Sequence, residues 1–368
     1  MENSKPAFFK YLYIHIPFCE KICFFCDFFK FKKNIKTMEL EYTESLLSQI
    51  KKNGPFWDLR TIYIGGGTPS CLDYDCWIKI FKALKPFTNN IEEFTIEVNP
   101  ESVSEKLLKL FVKNKVNRIS MGCQTFNDEL LQQSNRKHNK KDILEKYCLI
   151  QKMGIQNISI DLIYNLFNQT KEDVIADLKM VKKLKPSHLS WYSLILKSGT
   201  VWGRKYLELP DNDYEFDNII NEELSRLGYE RYEVSNYASK GNYRSIHNLS
   251  YWRNESYDAI GPSAAGFSNL NFNRSYLIHN DKNYKNWNYE IEYLSKEDYY
   301  FKILMMGLRL VDGININDIK DADLAIEYFW IKIEKQINNN LLIYHNDVLK
   351  CSSEGFNFLD SVLLDILN

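Results

Sequence analysis

Tyr13-Ile-His-Ile-Pro-Phe-Cys-Glu-Lys-Ile-Cys-Phe-Phe-Cys-Asp-Phe-Phe29 is the stretch on which the reading of this chain turns. An apolar, strand-like run at residues 11–16 leads straight into Cys19, Cys23 and Cys26, spaced C-x3-C-x2-C. Three thiolates so close can each hold one iron of a cubane [4Fe–4S] cluster. Phe28 stands two residues after Cys26 and the next cysteine is Cys71, so the fourth iron stays open for an exchangeable ligand. The competing reading is a zinc knuckle. Zinc takes four ligands in a closed structural site, and His15 lies in the run rather than in the loop.

Working outward, strand-like runs at 61–64, 93–98, 116–122, 158–163 and 188–195 follow the first one. They alternate with helical periodicity at 36–52, 73–85, 104–113, 139–153, 171–184 and 214–227. Six strand–helix units in series predict a parallel α/β architecture. A doubly wound sheet and a partial barrel both fit that order. The cysteines, Gly65, Gly66, Gly67, Glu97, Gln124 and Asp161 all fall at strand C-termini, the end that carries the site in barrels.

After Gly228 the alternation stops. Residues 229–237 read as a strand and bend, and 247–267 as loop more than helix. Helices at 300–310 and 356–367 with a strand pair near 341–349 predict a smaller, mainly helical, winged-helix-like module. The expected division is 1–228, a connecting region 229–285, and 286–368. Winged modules often bind DNA, but the net charge is −1 and no basic stripe is present, so no nucleic-acid partner is expected.

The chain has 368 residues with 45% hydrophobic and 26% charged, the balance of a globular protein. No apolar run approaches the ~20 residues of a membrane helix. The five cysteines outside the motif are scattered and do not form a disulfide framework. With no signal peptide, the expected compartment is the reducing cytoplasm.

Gly65-Gly66-Gly67-Thr68-Pro69 allows close backbone approach to a ligand. Glu97 and Asp161 offer carboxylates, Gln124 an amide and Arg136 a guanidinium, groups that suit an amine, ribose hydroxyls and a carboxylate. Each alone is an ordinary strand end or ion pair; on successive units they predict one site.

The cysteine spacing resembles the radical S-adenosylmethionine superfamily. Tyr-Ile-His-Ile-Pro-Phe-Cys, Gly-Gly-Gly-Thr-Pro, Ile-Glu-Val-Asn-Pro, Ser-Met-Gly-Cys-Gln-Thr-Phe and Ile-Asp-Leu-Ile-Tyr, spread over residues 13–164, look like its oxygen-independent coproporphyrinogen III oxidase-like family. That resemblance implies a partial (β/α)6 barrel and a [4Fe–4S] cluster on Cys19, Cys23 and Cys26. It also implies S-adenosylmethionine held by Tyr13, Phe25, Gly65, Gly66, Gly67, Thr68, Glu97, Gln124, Arg136 and Asp161.

Two departures separate the chain from the oxidases themselves. Phe28 stands where they have a further cysteine, and eighteen residues precede Cys19 where they have a long extension. His247-Asn-Leu-Ser-Tyr-Trp252 and Gly261-Pro-Ser-Ala-Ala-Gly266 look like the heme-chaperone subgroup of the family. The resemblance thus implies heme as cargo and a heme-acceptor protein as partner, and it admits a homodimer. His247 is the candidate heme ligand through an imidazole nitrogen, with Tyr251 and Trp252 against the porphyrin face. The alternative is a radical enzyme that decarboxylates coproporphyrinogen III, so whether turnover occurs stays open at this point.

Overall fold

The computed structural model describes residues 8–33, 36–205, 208–209, 212–240, 243–285 and 287–368. The polar start of the chain and the expected boundary at 286 lie outside the described residues. Six parallel strands lie side by side in chain order: β1 (Phe9–Ile16), β2 (Trp57–Gly66), β3 (Glu93–Val98), β4 (Arg118–Gln124), β5 (Asn157–Tyr164) and β6 (His188–Ser193). Helix α1 (Lys36–Asn53) follows β1, α2 (Tyr74–Leu84) follows β2, and α3 (Glu105–Lys113) follows β3. A short α4 (Asp128–Gln133) and then α5 (Lys140–Lys152) follow β4, and α6 (Lys171–Leu184) follows β5. After β6 come α7 (Val201–Arg204) and α8 (Asp213–Arg226). This is the partial (β/α)6 barrel.

Local chemistry starts the helices where the periodicity begins. Asp73 and Ser104 cap α2 and α3 by accepting from Asp75 N and Leu107 N. Asn139 with Asp142, and Thr170 with Asp173, form capping boxes on α5 and α6.

Alternation along the strands sorts side chains into two faces. Leu12 and Ile14, Ile62 and Ile64, Phe94 and Ile96, Ile119 and Met121, Ile158 and Ile160 are fully buried in the main core with the helices. Each such side chain contributes about 1.5–3 kcal/mol. The opposite face is polar. The registers Tyr13–Tyr63, Tyr63–Thr95, Thr95–Arg118, Glu97–Ser120, Gly122–Asp161 and Asp161–Ser190 place these residues together inside the barrel.

The sheet does not end at 228. The antiparallel strands β7 (Tyr229–Arg231) and β8 (Asn236–Ser239) extend it beyond β6. Residues 247–267, expected as loop, begin with a capped helix, α9 (Ile246–Trp252), preceded by the N-cap Ser245. They continue with β9 (Asp258–Ile260), which pairs parallel to β1 at the other edge. The order β9-β1-β2-β3-β4-β5-β6-β8-β7 is therefore nine strands long. Seven-residue helices and three-residue strands are too short to show a period, so tertiary pairing sets them. A separate antiparallel sheet of β10 (Ala265–Ser268), β11 (Tyr276–Asn280) and β12 (Tyr289–Tyr293) follows.

The C-terminal module is α10 (Lys296–Gly307), β13 (Ile314–Asn315), α11 (Ala322–Tyr328), α12 (Trp330–Asn338), the hairpin β14 (Leu342–His345) and β15 (Val348–Cys351), α13 (Ser353–Asn357) and α14 (Leu359–Leu367). It is mainly helical, with a three-stranded wing and its own core around Ile303, Ile314, Ile333, Leu349 and Leu363. It meets the barrel through Val311 N donating to Tyr232 O at 3.1 Å and through Arg309 over the Trp252 ring.

Candidate functional site

The cysteine loop leaves β1 at the C-terminal mouth of the barrel and is pinned on three sides. Residues 18–19 pair with 31–32, Thr68 N donates to Phe18 O at 2.7 Å, and Asn135 Nδ2 donates to Ile22 O at 2.7 Å. Phe25 packs on the Trp202 ring at 6.0 Å, in a small satellite core under the loop.

All the expected cluster and S-adenosylmethionine residues except Tyr13 and Gly65 line one cavity of about 340 Å³. Cys19 Sγ receives the Thr68 hydroxyl at 3.5 Å, and Cys23 Sγ receives Arg136 Nη1 at 3.1 Å. Burial pushes the Cys19 thiol up to about 11 and raises that of Cys26 as well. Among the described residues no three His, Cys, Asp or Glu side chains converge on one metal ion. A cubane attaches each of three thiolates to a different iron.

Deeper in, Glu97 accepts from the Tyr63 hydroxyl at 2.8 Å and from Gly66 N at 3.0 Å. Burial, with the Asp161 carboxylate nearby, raises it to about 7. Asp161 accepts from the hydroxyls of Ser120 at 2.8 Å and Ser159 at 2.9 Å, and burial raises its pKa too. Two carboxyls held this way favour a ligand that brings positive charge and hydroxyl groups. Arg136 Nη2 donates to Asn99 Oδ1 and to Gly122 O, both at 2.8 Å. Its Nε and the Gln124 Oε1 are buried with no hydrogen-bond partner among the described residues. Orphaned polar atoms on a cavity wall call for a polar ligand, and a Cβ on Gly122 would stand 3.0 Å from both Asn99 Oδ1 and Gln124 Nε2.

The glycine turn works partly against protein rather than ligand. Gly66 has φ +114, and a Cβ there would meet the His15 ring at 2.7 Å. Gly65 lies under the Glu97 carboxylate, where a Cβ would come within 2.8 Å. It makes room for Glu97 and does not face the cavity.

Tyr13 lines a second, open groove together with Phe28, Phe29, Tyr251, Tyr257 and Ala264. Phe28, 64% exposed, borders both the groove and the cavity. His247 is in neither. It is 0% exposed, its Nδ1 lies 2.6 Å from Thr61 Oγ1, and its Nε2 lies 2.7 Å from the Tyr251 hydroxyl. Its ring stacks on Tyr63, and burial lowers its pKa to about 3. Both nitrogens are thus engaged, and in this structure the imidazole has no open face for an iron. His247 is thus a buried, neutral imidazole that holds the Tyr251 hydroxyl.

Sequence reading missed Asn99, which bridges Arg136 and Thr68, and Tyr63, which bridges Glu97 and His247. Asn99 stood in a quoted motif. Tyr63 falls on the alternation Thr61, Tyr63, Gly65 along β2.

Barrel, cysteine triad and glycine turn together define a radical S-adenosylmethionine protein, and residues 13–199 match the family model of the Radical SAM superfamily. Residues 294–358 match that of the HemN C-terminal domain. The solved coproporphyrinogen III oxidase HemN of Escherichia coli superposes with a TM-score of 0.82 at 20% identity, over 98% of this chain and 91% of that one, a likeness of fold. The heme chaperone HemW of Lactococcus lactis subsp. lactis is 34% identical over 97% of this chain and 98% of its own length. That of Buchnera aphidicola subsp. Schizaphis graminum is 34% identical over 96% of each. The chain belongs to the HemW heme-chaperone family.

Proposed function

We propose that this protein is a heme chaperone: it takes up heme in the aromatic groove and passes it to an acceptor protein. In this reading Cys19, Cys23 and Cys26 hold a [4Fe–4S] cluster, which supplies an open iron for S-adenosylmethionine and a one-electron redox centre. Arg136 receives the carboxylate of S-adenosylmethionine, and Gln124 accepts from its amine through the unpartnered Oε1. Glu97 and Asp161 receive its amine and ribose hydroxyls, and Phe25 with Thr68 closes the rim.

One observation carries the choice of cargo. The two segments that resemble the heme-chaperone subgroup, 247–252 and 261–266, meet the cysteine loop at a single groove. Its lining is mostly the rings of Tyr13, His15, Phe28, Phe29, Tyr251 and Tyr257 with the small residues Ser263, Ala264 and Ala265 and the carboxylate of Asp27, a lining that suits a large aromatic ligand. Phe28 supplies one of those rings where the oxidases have a cysteine.

No helix among the described residues is long and apolar enough to cross a membrane. We place the working protein in the cytoplasm, where its thiols stay reduced. The test is anaerobic reconstitution of the cluster followed by two arms. Heme is added to one and its retention through gel filtration measured, with the elution volume reporting whether a homodimer carries it. Coproporphyrinogen III, S-adenosylmethionine and a reductant are added to the other. Stoichiometric heme retention without decarboxylation is expected; decarboxylation without retention overturns the reading in favour of the oxidase.

A further inference from the structure

Two tyrosines of the groove pair with histidines, and the two pairs are not equivalent. The Tyr13 hydroxyl lies 3.0 Å from His15 Nδ1, and His15 Nε2 lies 2.8 Å from the carbonyl oxygen of Phe29. A carbonyl only accepts, so Nε2 carries the proton, Nδ1 is bare, and the Tyr13 phenol must donate to it. Tyr13 is locked as a phenol.

The Tyr251 hydroxyl lies 2.7 Å from His247 Nε2, and His247 Nδ1 lies 2.6 Å from the Thr61 hydroxyl. A hydroxyl both donates and accepts, so His247 has two tautomers open to it. In one, Tyr251 donates to a bare Nε2 and Nδ1–H donates to Thr61. In the other, Thr61 donates to Nδ1, and Nε2–H donates to the tyrosine oxygen. The second arrangement is the one a phenolate needs. Tyr251 is half-buried, lines the groove and is braced edge-on by Tyr257 at 4.4 Å.

Resting on the heme-chaperone reading, we propose that Tyr251, as a phenolate, is the axial ligand to the iron of ferric heme in this groove, and that Thr61 and His247 are positioning residues that receive it in the tautomer whose Nε2–H already donates to the tyrosine oxygen. Tyrosine is a known ligand of ferric heme. The Tyr251 O–H bond breaks and an O–Fe(III) bond forms. One proton passes to solvent through the open groove, His247 is neutral before and after, and no electron moves.

The test uses the full chain, ferric heme, and resonance Raman and electron paramagnetic resonance spectra. The parent complex is expected to show iron–phenolate vibrations and a high-spin ferric signal. Y251F loses the phenolate bands and retains heme at least tenfold less well, while Y214F, at an exposed tyrosine outside both the cavity and the groove, keeps both. Y251H recovers retention with an imidazole spectrum, which separates lost ligation from lost fold. T61V keeps the ligand but shifts the iron–phenolate frequency and weakens retention by about two- to tenfold, the range of one hydrogen bond. A parent spectrum of imidazole type that H247Q abolishes and Y251F leaves intact overturns this inference while leaving the chaperone reading standing. A parent chain that retains no heme overturns both.

Discussion

Glu97→Gln separates what the barrel loses from what it gains by burying a carboxylate. The substitution keeps the shape. The glutamine oxygen can accept from Gly66 N, and the Tyr63 hydroxyl can turn to accept from the new amide. In the folded chain burial raises Glu97 from 4.5 to about 7. The folded state therefore binds this proton more tightly than the unfolded state. Its contribution to stability is most favourable below 4.5 and falls as pH rises through the window up to about 7. The full loss by pH 8 is about 3 kcal/mol, and about 2 kcal/mol after discounting for solvent at its partly exposed carboxyl. E97Q should therefore unfold at higher urea than the parent at pH 8, by about 2 kcal/mol, and at nearly the same urea at pH 4.5, both measured on the cluster-free chain. On the cluster-loaded protein the same substitution should weaken S-adenosylmethionine binding by about 10- to 100-fold, the worth of a hydrogen bond to a charged partner. Parent affinity should also fall as pH drops below about 7. An equal destabilisation at both pH values would show that the hydrogen bonds from Tyr63 and Gly66 outweigh the burial cost. An unchanged affinity would remove Glu97 from the ligand site.

Glu93→Gln should loosen α9: its carboxylate accepts from Ser245 Oγ at 3.2 Å, Ile246 N at 2.9 Å and His247 N at 3.0 Å, and an amide leaves at least one of those donors unmet. The expected cost is about 1–3 kcal/mol in denaturant unfolding, with faster amide exchange at 246–247 and weaker heme retention. Gly66→Ala forces a Cβ into the His15 ring at positive φ and should cost about 1–3 kcal/mol and impair cluster reconstitution. Cys23→Ser should lower iron and sulfide per chain after reconstitution, whereas serine at the exposed Cys148 should leave them unchanged; equal loss in both would argue against a site on the triad.

The barrel was legible because each of its six units is long enough to show a period, and because caps such as Asn139 with Asp142 stand where the period starts. Glu97, Gln124 and Asp161 were legible as chemistry at strand ends, Arg136 as a cation twelve residues after Gln124, and all of them share one cavity. The edges of the sheet were not. The β9 strand is three residues long, and its pairing with β1 joins residues more than two hundred positions apart, which no local pattern encodes. The burial of His247 was not legible for a related reason. A histidine in a quoted motif draws the eye as a ligand, but its burial depends on Thr61 and Tyr63 from β2, far away in the chain.

Strand β2 joins the cavity to the groove through one row of side chains. Thr61, Tyr63 and Gly65 project to one face at a period of two. Thr61 holds His247 Nδ1, Tyr63 stacks on the same imidazole and donates its hydroxyl to Glu97, and Gly65 makes room for that carboxylate. Glu97 belongs to the cavity beside the cysteines, and His247 holds Tyr251 in the groove. Any ligand that draws the Glu97 carboxylate away from the Tyr63 hydroxyl therefore acts on a ring packed against the imidazole that supports Tyr251. A single strand is thus in contact with both ends of this chain of groups.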